Sequence, residues 1–290
     1  MNVVGRGACV ERRKTIFEIT AGVVEHKGIF SVCRRLIGGD NIGKFLAGNC
    51  IIQRSNGALK SGCVSSVIPA DGSVKRINSY AFQRVPIQSV IIPEGVMEIG
   101  SSAFYECASL TEIEIPSTVT IIGRTAFNGC NNLQSITVAE ANKVFCVKEG
   151  CLVRIEDNAL VFSPSYVIPE GVSAIAESAF DGCADMKEVT IPDSVTQIGT
   201  NAFYGCTGLI EIVIPEGVIE IGNGTFRNCL NLTTVTIPVS VTKIGSTAFY
   251  SCKNLKTVYF GGTAEQWAAI TVGSGNNELL NANVICQGGL

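Results

Sequence analysis

From Leu110 to Ile115 the chain sets apolar Ile113 and Ile115 against Glu112 and Glu114, the period of a strand with one buried face. Pro116 ends the run, because proline has no N–H to give to a ladder. Val119 and Ile122 then point inward on a return path, and Gly123 marks a turn that a residue with a Cβ would resist. Ala126, Phe127 and Cys130 close the unit before Leu133 opens the next strand. The stretch from Arg124 to Cys130 is too short for a helix that stands alone. A single helical or 3-10 turn docked on its neighbours is expected there.

The unit repeats. Phe104, Phe127, Phe180, Phe203, Phe226 and Phe249 each precede a cysteine by three positions, at Cys107, Cys130, Cys183, Cys206, Cys229 and Cys252. Within each run the step is 23 residues, and Ile-Pro pairs ending at Pro93, Pro116, Pro169, Pro192, Pro215 and Pro238 share it. A period of this size held over most of a chain predicts a repeat solenoid. Its strands should lie parallel, about 4.8 Å apart, with phenylalanine above phenylalanine. The return segments should be mostly irregular or short 3-10 pieces.

Two stretches leave the register. Residues 140–168 and 48–69 each carry two apolar runs around a turn signal, Glu156-Asp157-Asn158 and Ser55-Asn56-Gly57. Both predict a hairpin-like variant coil. The repeats therefore run over 46–260, behind an unassigned irregular segment 1–45. Residues 261–290 read as a terminal cap, opened by a capping box at Thr263-Ala264-Glu265-Gln266 with Trp267 laid over the last coil.

Composition narrows the function classes. Of 290 residues, 46% are hydrophobic and only 16% charged, as a long continuous core requires. The net charge of −3 and pI near 5.4 argue against nucleic acid. No apolar run is long enough to span a membrane. Met1–Lys14 has no hydrophobic signal core, which leaves a chain that stays in the cell or one that begins upstream. The 13 cysteines read as buried, reduced thiols, since six of them fill one column of the repeat where a small apolar group is wanted. One thiol per coil makes a row, whereas zinc wants a tetrahedron, so neither metal nor cofactor is expected.

The pattern Ile113-x-Ile115-Pro116, Val119-x-x-Ile122-Gly123, Ala126-Phe127-x-x-Cys130 resembles the BspA-like, Treponema pallidum-type leucine-rich repeats. The units from Met186, Leu209 and Leu232 match it nearly throughout, and the resemblance covers about residues 48–286. It implies a leucine-rich-repeat horseshoe with a parallel sheet face, and a surface or secreted protein that adheres to host protein or cells.

Catalytic chemistry is hard to assemble here. The one histidine, His26, lies outside the repeats, and Glu94, Glu170 and Glu216 recur in Pro-Glu-Gly turns as turn chemistry. The chain therefore reads as non-enzymatic. What remains is the outward side of the strands. One column holds Ser89, Glu112, Ser135, Glu188, Glu211, Thr234 and Thr257, and the other holds Ile91, Glu114, Thr137, Thr190, Val213, Thr236 and Tyr259. This face is either an ordinary solvated sheet or a shallow platform for a protein or glycan partner. A surface adhesin, a structural spacer in a larger surface protein and an intracellular interaction scaffold all fit that reading.

Overall fold

The computed structural model describes residues 68–288, together with the backbone of three strands upstream. Those strands are β1 (Lys44–Ala47), β2 (Cys50–Gln53) and β3 (Ala58–Ser61), with β2 and β3 antiparallel. The turn signal Ser55-Asn56-Gly57 lies outside the described residues. Regular coils follow, and all but the one from Met186 contribute to two sets of parallel strands. The first array supplies β4 (Arg76–Ile77), β5 (Ser89–Val90), β6 (Glu98–Ile99), β7 (Glu112–Ile115), β8 (Ile121–Ile122) and β9 (Ser135–Val138). The chain then makes an antiparallel meander of β10 (Phe145–Lys148), β11 (Cys151–Arg154) and β12 (Ala159–Phe162). The second array adds β13 (Ala174–Ile175), β14 (Gln197–Ile198), β15 (Glu211–Val213), β16 (Glu220–Ile221), β17 (Thr234–Ile237), β18 (Lys243–Ile244) and β19 (Thr257–Phe260). The cap contains α1 (Ala264–Ala268), β20 (Thr271–Val272), α2 (Asn277–Leu280) and β21 (Asn283–Cys286).

The wider strands form two separate sheets, β5-β7-β9 and β15-β17-β19-β21. The return path, expected to be irregular, carries a second ladder of two-residue strands. It runs β4-β6-β8 after the first hairpin and β13-β14-β16-β18-β20 after the meander. The two variant coils are built alike: β2–β3 and β11–β12 each have a register shift after the second strand residue on one side, and each hands on to a parallel strand.

Gly123 is required for a different reason from the one its turn position implies. A Cβ there would lie 2.3 Å from the Ser101 backbone nitrogen of the preceding coil, so the glycine permits stacking. Gly100 meets Ser79 in the same way, at 2.4 Å.

The segment after each such glycine is not helical. Two residues four apart adopt left-handed backbone, Thr125 (φ 53°) and Gly129 (φ 76°) in one coil, Asn201 (φ 55°) and Gly205 (φ 68°) in another. A left-handed residue every fourth position stops a right-handed helix from propagating. The freed N–H groups turn to the next coil. Phe104 N donates to Ala126 O (2.8 Å), Phe203 N to Thr225 O (2.9 Å) and Phe226 N to Ala248 O (2.8 Å). The coil edge thus forms a third ladder, made of turns.

Inside, the phenylalanines stack at 5.0–5.7 Å, from Phe82 to Phe104 to Phe127 and from Phe180 to Phe203 to Phe226 to Phe249. Phe162 of the meander fills the column against Phe127, tilted 59° at 5.7 Å. Among the described residues there are two hydrophobic cores, and they meet at β11 and β12. Leu152 and Phe162 belong to one, Cys151, Val153 and Leu160 to the other.

The nine cysteines among the described residues are free thiols. Five of the six in the repeat column donate to a phenylalanine carbonyl of the previous coil, among them Cys130 to Phe104 O (3.1 Å), Cys229 to Phe203 O (3.2 Å) and Cys252 to Phe226 O (3.0 Å). In the cap, Thr263 makes the capping box with Gln266, and Trp267 packs edge-on to Phe260 at 5.3 Å.

Candidate functional site

The pleat decides what the wider sheet shows to solvent. In β7, Ile113 and Ile115 are buried while Glu112 and Glu114 are exposed. In-register stacking carries that alternation from strand to strand. Glu112 pairs with Ser135 and Glu114 with Thr137. In the second array Glu211, Thr234, Thr257 and Asn283 line one column, and Val213, Thr236, Tyr259 and Ile285 the other. The two predicted columns therefore exist, but in two sheets. Glu188 and Thr190 are exposed on a coil that has no strand in the wider sheets, held to the second array by Ile210 N donating to Lys187 O at 3.2 Å.

The face is amphipathic. Ile91 is 83% exposed beside the strand pair β5–β7, and Val213 is 59% exposed at the head of the second sheet. Four acids, several threonines and a tyrosine surround them. The opposite face differs: its charges pair from coil to coil, Arg76 with Glu98 at 2.7 Å and Lys243 with Glu220 at 2.8 Å. None of the face glutamates Glu112, Glu114, Glu188 or Glu211 is in an ion pair among the described residues.

Of the recurring turn glutamates, Glu94 is held structurally. Glu94 accepts from Ser117 N and Ser117 Oγ, both at 2.9 Å, and these bonds hold its carboxyl below the usual carboxylate range. Among the described residues no three His, Cys, Asp or Glu side chains converge as metal ligands would. No helix among them is long and apolar enough to cross a membrane. His26 lies outside the described residues.

Sequence reasoning missed three features. Arg227 lies over two tyrosine rings, 5.9 Å from the centroid of Tyr204 and 5.0 Å from that of Tyr250. These residues hold the position after phenylalanine in successive coils, so the column could have been read from the repeat. Asp181 holds the same position, and burial raises its carboxyl to about 6. The third is a cleft of about 210 Å³ between the arrays, lined by Arg124, Thr125, Phe127, Arg154, Ala176 and Glu177 among others. It needs the stacking geometry at the break in the repeat, which no local pattern encodes.

Parallel ladders wound around stacked phenylalanines, with an open strand face, define a β-solenoid repeat protein. The chain belongs to the BspA-type leucine-rich repeat family, whose model matches residues 56–153 and 161–269 in six copies. Among solved structures it is similar to a leucine-rich repeat protein from Eubacterium ventriosum, at 30% identity and TM-score 0.58. That match covers 67% of this chain and 54% of the other, so the chain spans about half of that relative's length. The pneumococcal vaccine antigen PcpA shares the fold at 19% identity and TM-score 0.53, over 77% of this chain and 71% of its own. No curated protein sequence matches.

Proposed function

We propose that the chain is a non-enzymatic binding module of a bacterial cell surface. It takes a protein partner, from a host surface or matrix, on the exposed face of its wider parallel sheets. The observation that carries this reading is the face itself: unpaired acids and exposed apolar side chains held in register, opposite a face whose charges are paired across coils. Interfaces that bind combine an apolar centre with a polar rim, and a repeat sheet spreads both over a long platform. Surface location rests on the family resemblance.

The test is capture of purified matrix proteins by the full chain, compared with a variant carrying Glu112, Glu114, Glu188 and Glu211 each changed to lysine. Saturable capture that weakens at least about tenfold on charge reversal supports the sheet face. Capture unchanged by reversal moves the site elsewhere. Capture of no partner favours a spacer within a larger protein.

A further inference from the structure

At each regular junction the turn edge makes three N–H···O bonds to the next coil. Ser102, Phe104 and Glu106 donate to Arg124, Ala126 and Asn128 (2.8–2.9 Å), and Ser178, Phe180 and Gly182 donate to Thr200, Ala202 and Tyr204 (2.7–3.1 Å). The last coil has no regular coil beyond it, and the cap supplies substitutes. Thr247 N donates to Ser274 O (2.7 Å), Phe249 N to Asn276 Oδ1 (2.9 Å) and Ser251 N to Glu278 Oε1 (2.8 Å).

One junction breaks this rule. Thr125, Phe127 and Gly129 hold the donor positions of their coil, yet none of their N–H groups has an acceptor among the described residues. Across the gap, the carbonyls of Glu177 and Ala179 hold the acceptor positions and receive no donor among the described residues. Phe127 is 1% exposed, and a buried N–H without a partner is rare. The cause is the meander: it sends Phe162 into the aromatic column but makes no turn of its own at this edge, so one backbone layer is missing.

At one end of the gap the protein fills that layer itself. The Asn128 side-chain amide donates to Ser178 O (3.1 Å) and Asp181 O (2.7 Å), standing where a peptide group would stand. At the other end lies the cleft, with the donor positions of Thr125 and Phe127 on one wall, Ala176 and Glu177 on the other, and Phe162 and Val161 also lining it. Its charges are balanced at the rim, Arg124 with Glu177 at 3.0 Å and Arg154 with Asp157 at 2.6 Å.

We infer that this cleft binds a short extended segment of a partner polypeptide through its backbone. The segment's carbonyls accept from Thr125 and Phe127, and its N–H donates to Glu177 O. Donors on one wall, acceptors on the other and compensated charge fit an amide, which carries both groups on opposite sides, better than an anion. The site lies on the turn edge and does not depend on the sheet-face reading.

The test is amide chemical-shift titration of the full chain with N-acetyl-glycyl-alanyl-glycine amide, and in parallel with sodium acetate. The expected result is a saturable shift of the Thr125 and Phe127 amides with the blocked peptide and none with acetate. An Ala176→Leu variant, which fills the cleft from its far wall, should lose the response. A response to acetate in place of the peptide overturns the assignment in favour of an anion site. No response to either overturns it in favour of a cleft that holds only water.

Discussion

Cys107, Cys130, Cys206, Cys229 and Cys252 are each both a small core group and a donor to the carbonyl of a phenylalanine one coil back. Burial first, then like charge from neighbouring thiols and carboxylates, pushes Cys183 and Cys252 up to about 12, and Cys229 higher still. These thiols should resist alkylation at pH 8 in the folded chain and react on unfolding, which a mass shift after iodoacetamide would record. Cys229→Ala removes the sulfur and its bond to Phe203 O, and should cost about 1 kcal/mol in denaturant unfolding. Asp181 behaves oppositely to a salt-bridged acid. Burial raises its pKa to about 6 against a hydrogen bond from Ser178 that lowers it. The folded state then binds a proton more tightly than the unfolded state, so this group's contribution falls as pH rises from about 4 to 6 and stays low above. Asp181→Asn should therefore raise the melting temperature at pH 7.5 and leave it unchanged near pH 4. On the order of 1–3 kcal/mol is expected, and equal gains at both pH values would refute the burial argument.

At the scale of elements, two asparagines hold the irregular pieces to the regular ones. Asn142, 5% exposed, donates to Pro116 O (2.8 Å) and Val119 O (3.0 Å) and accepts from Val144 N and Phe145 N (both 2.9 Å). Asn276, 1% exposed, donates to Gly245 O and Gly273 O and accepts from Phe249 N. Alanine at either position leaves several buried groups unpaired and should destabilise by about 2–4 kcal/mol, read from chemical unfolding. The strand pattern and the capping box were legible because each depends on neighbouring residues: Glu112 to Ile115, Thr263 to Gln266. The turn edge was not. Its helix-like spacing hides left-handed residues such as Ser102 and Thr125, which no composition marks, and whose conformation is stabilised by bonds to the next coil.

At the scale of the molecule the repeat told the fold and left the site open. Which residues face outward followed from β7 alone, yet the division of the face into two sheets follows from how the variant coil stacks. Two cores meeting at β11 and β12 also predict how damage spreads. Phe203→Ala should cost about 3–5 kcal/mol. It should speed hydrogen exchange across residues 180–260 more than across 77–136, because each coil is supported by its neighbours. Uniform acceleration through both arrays would show one cooperative unit instead. The turn edge carries one further property. Its N–H groups point along the array from each coil to the next, so their dipoles add as in a helix laid along the solenoid. The positive pole lies at the C-terminal coil, where the Glu278 carboxylate receives the Ser251 N–H, as an acid caps a helix start. Polarity of this kind gives the array a direction, so a further 23-residue coil inserted between Asn231 and Leu232 extends the column head to tail and leaves its capped pole in place.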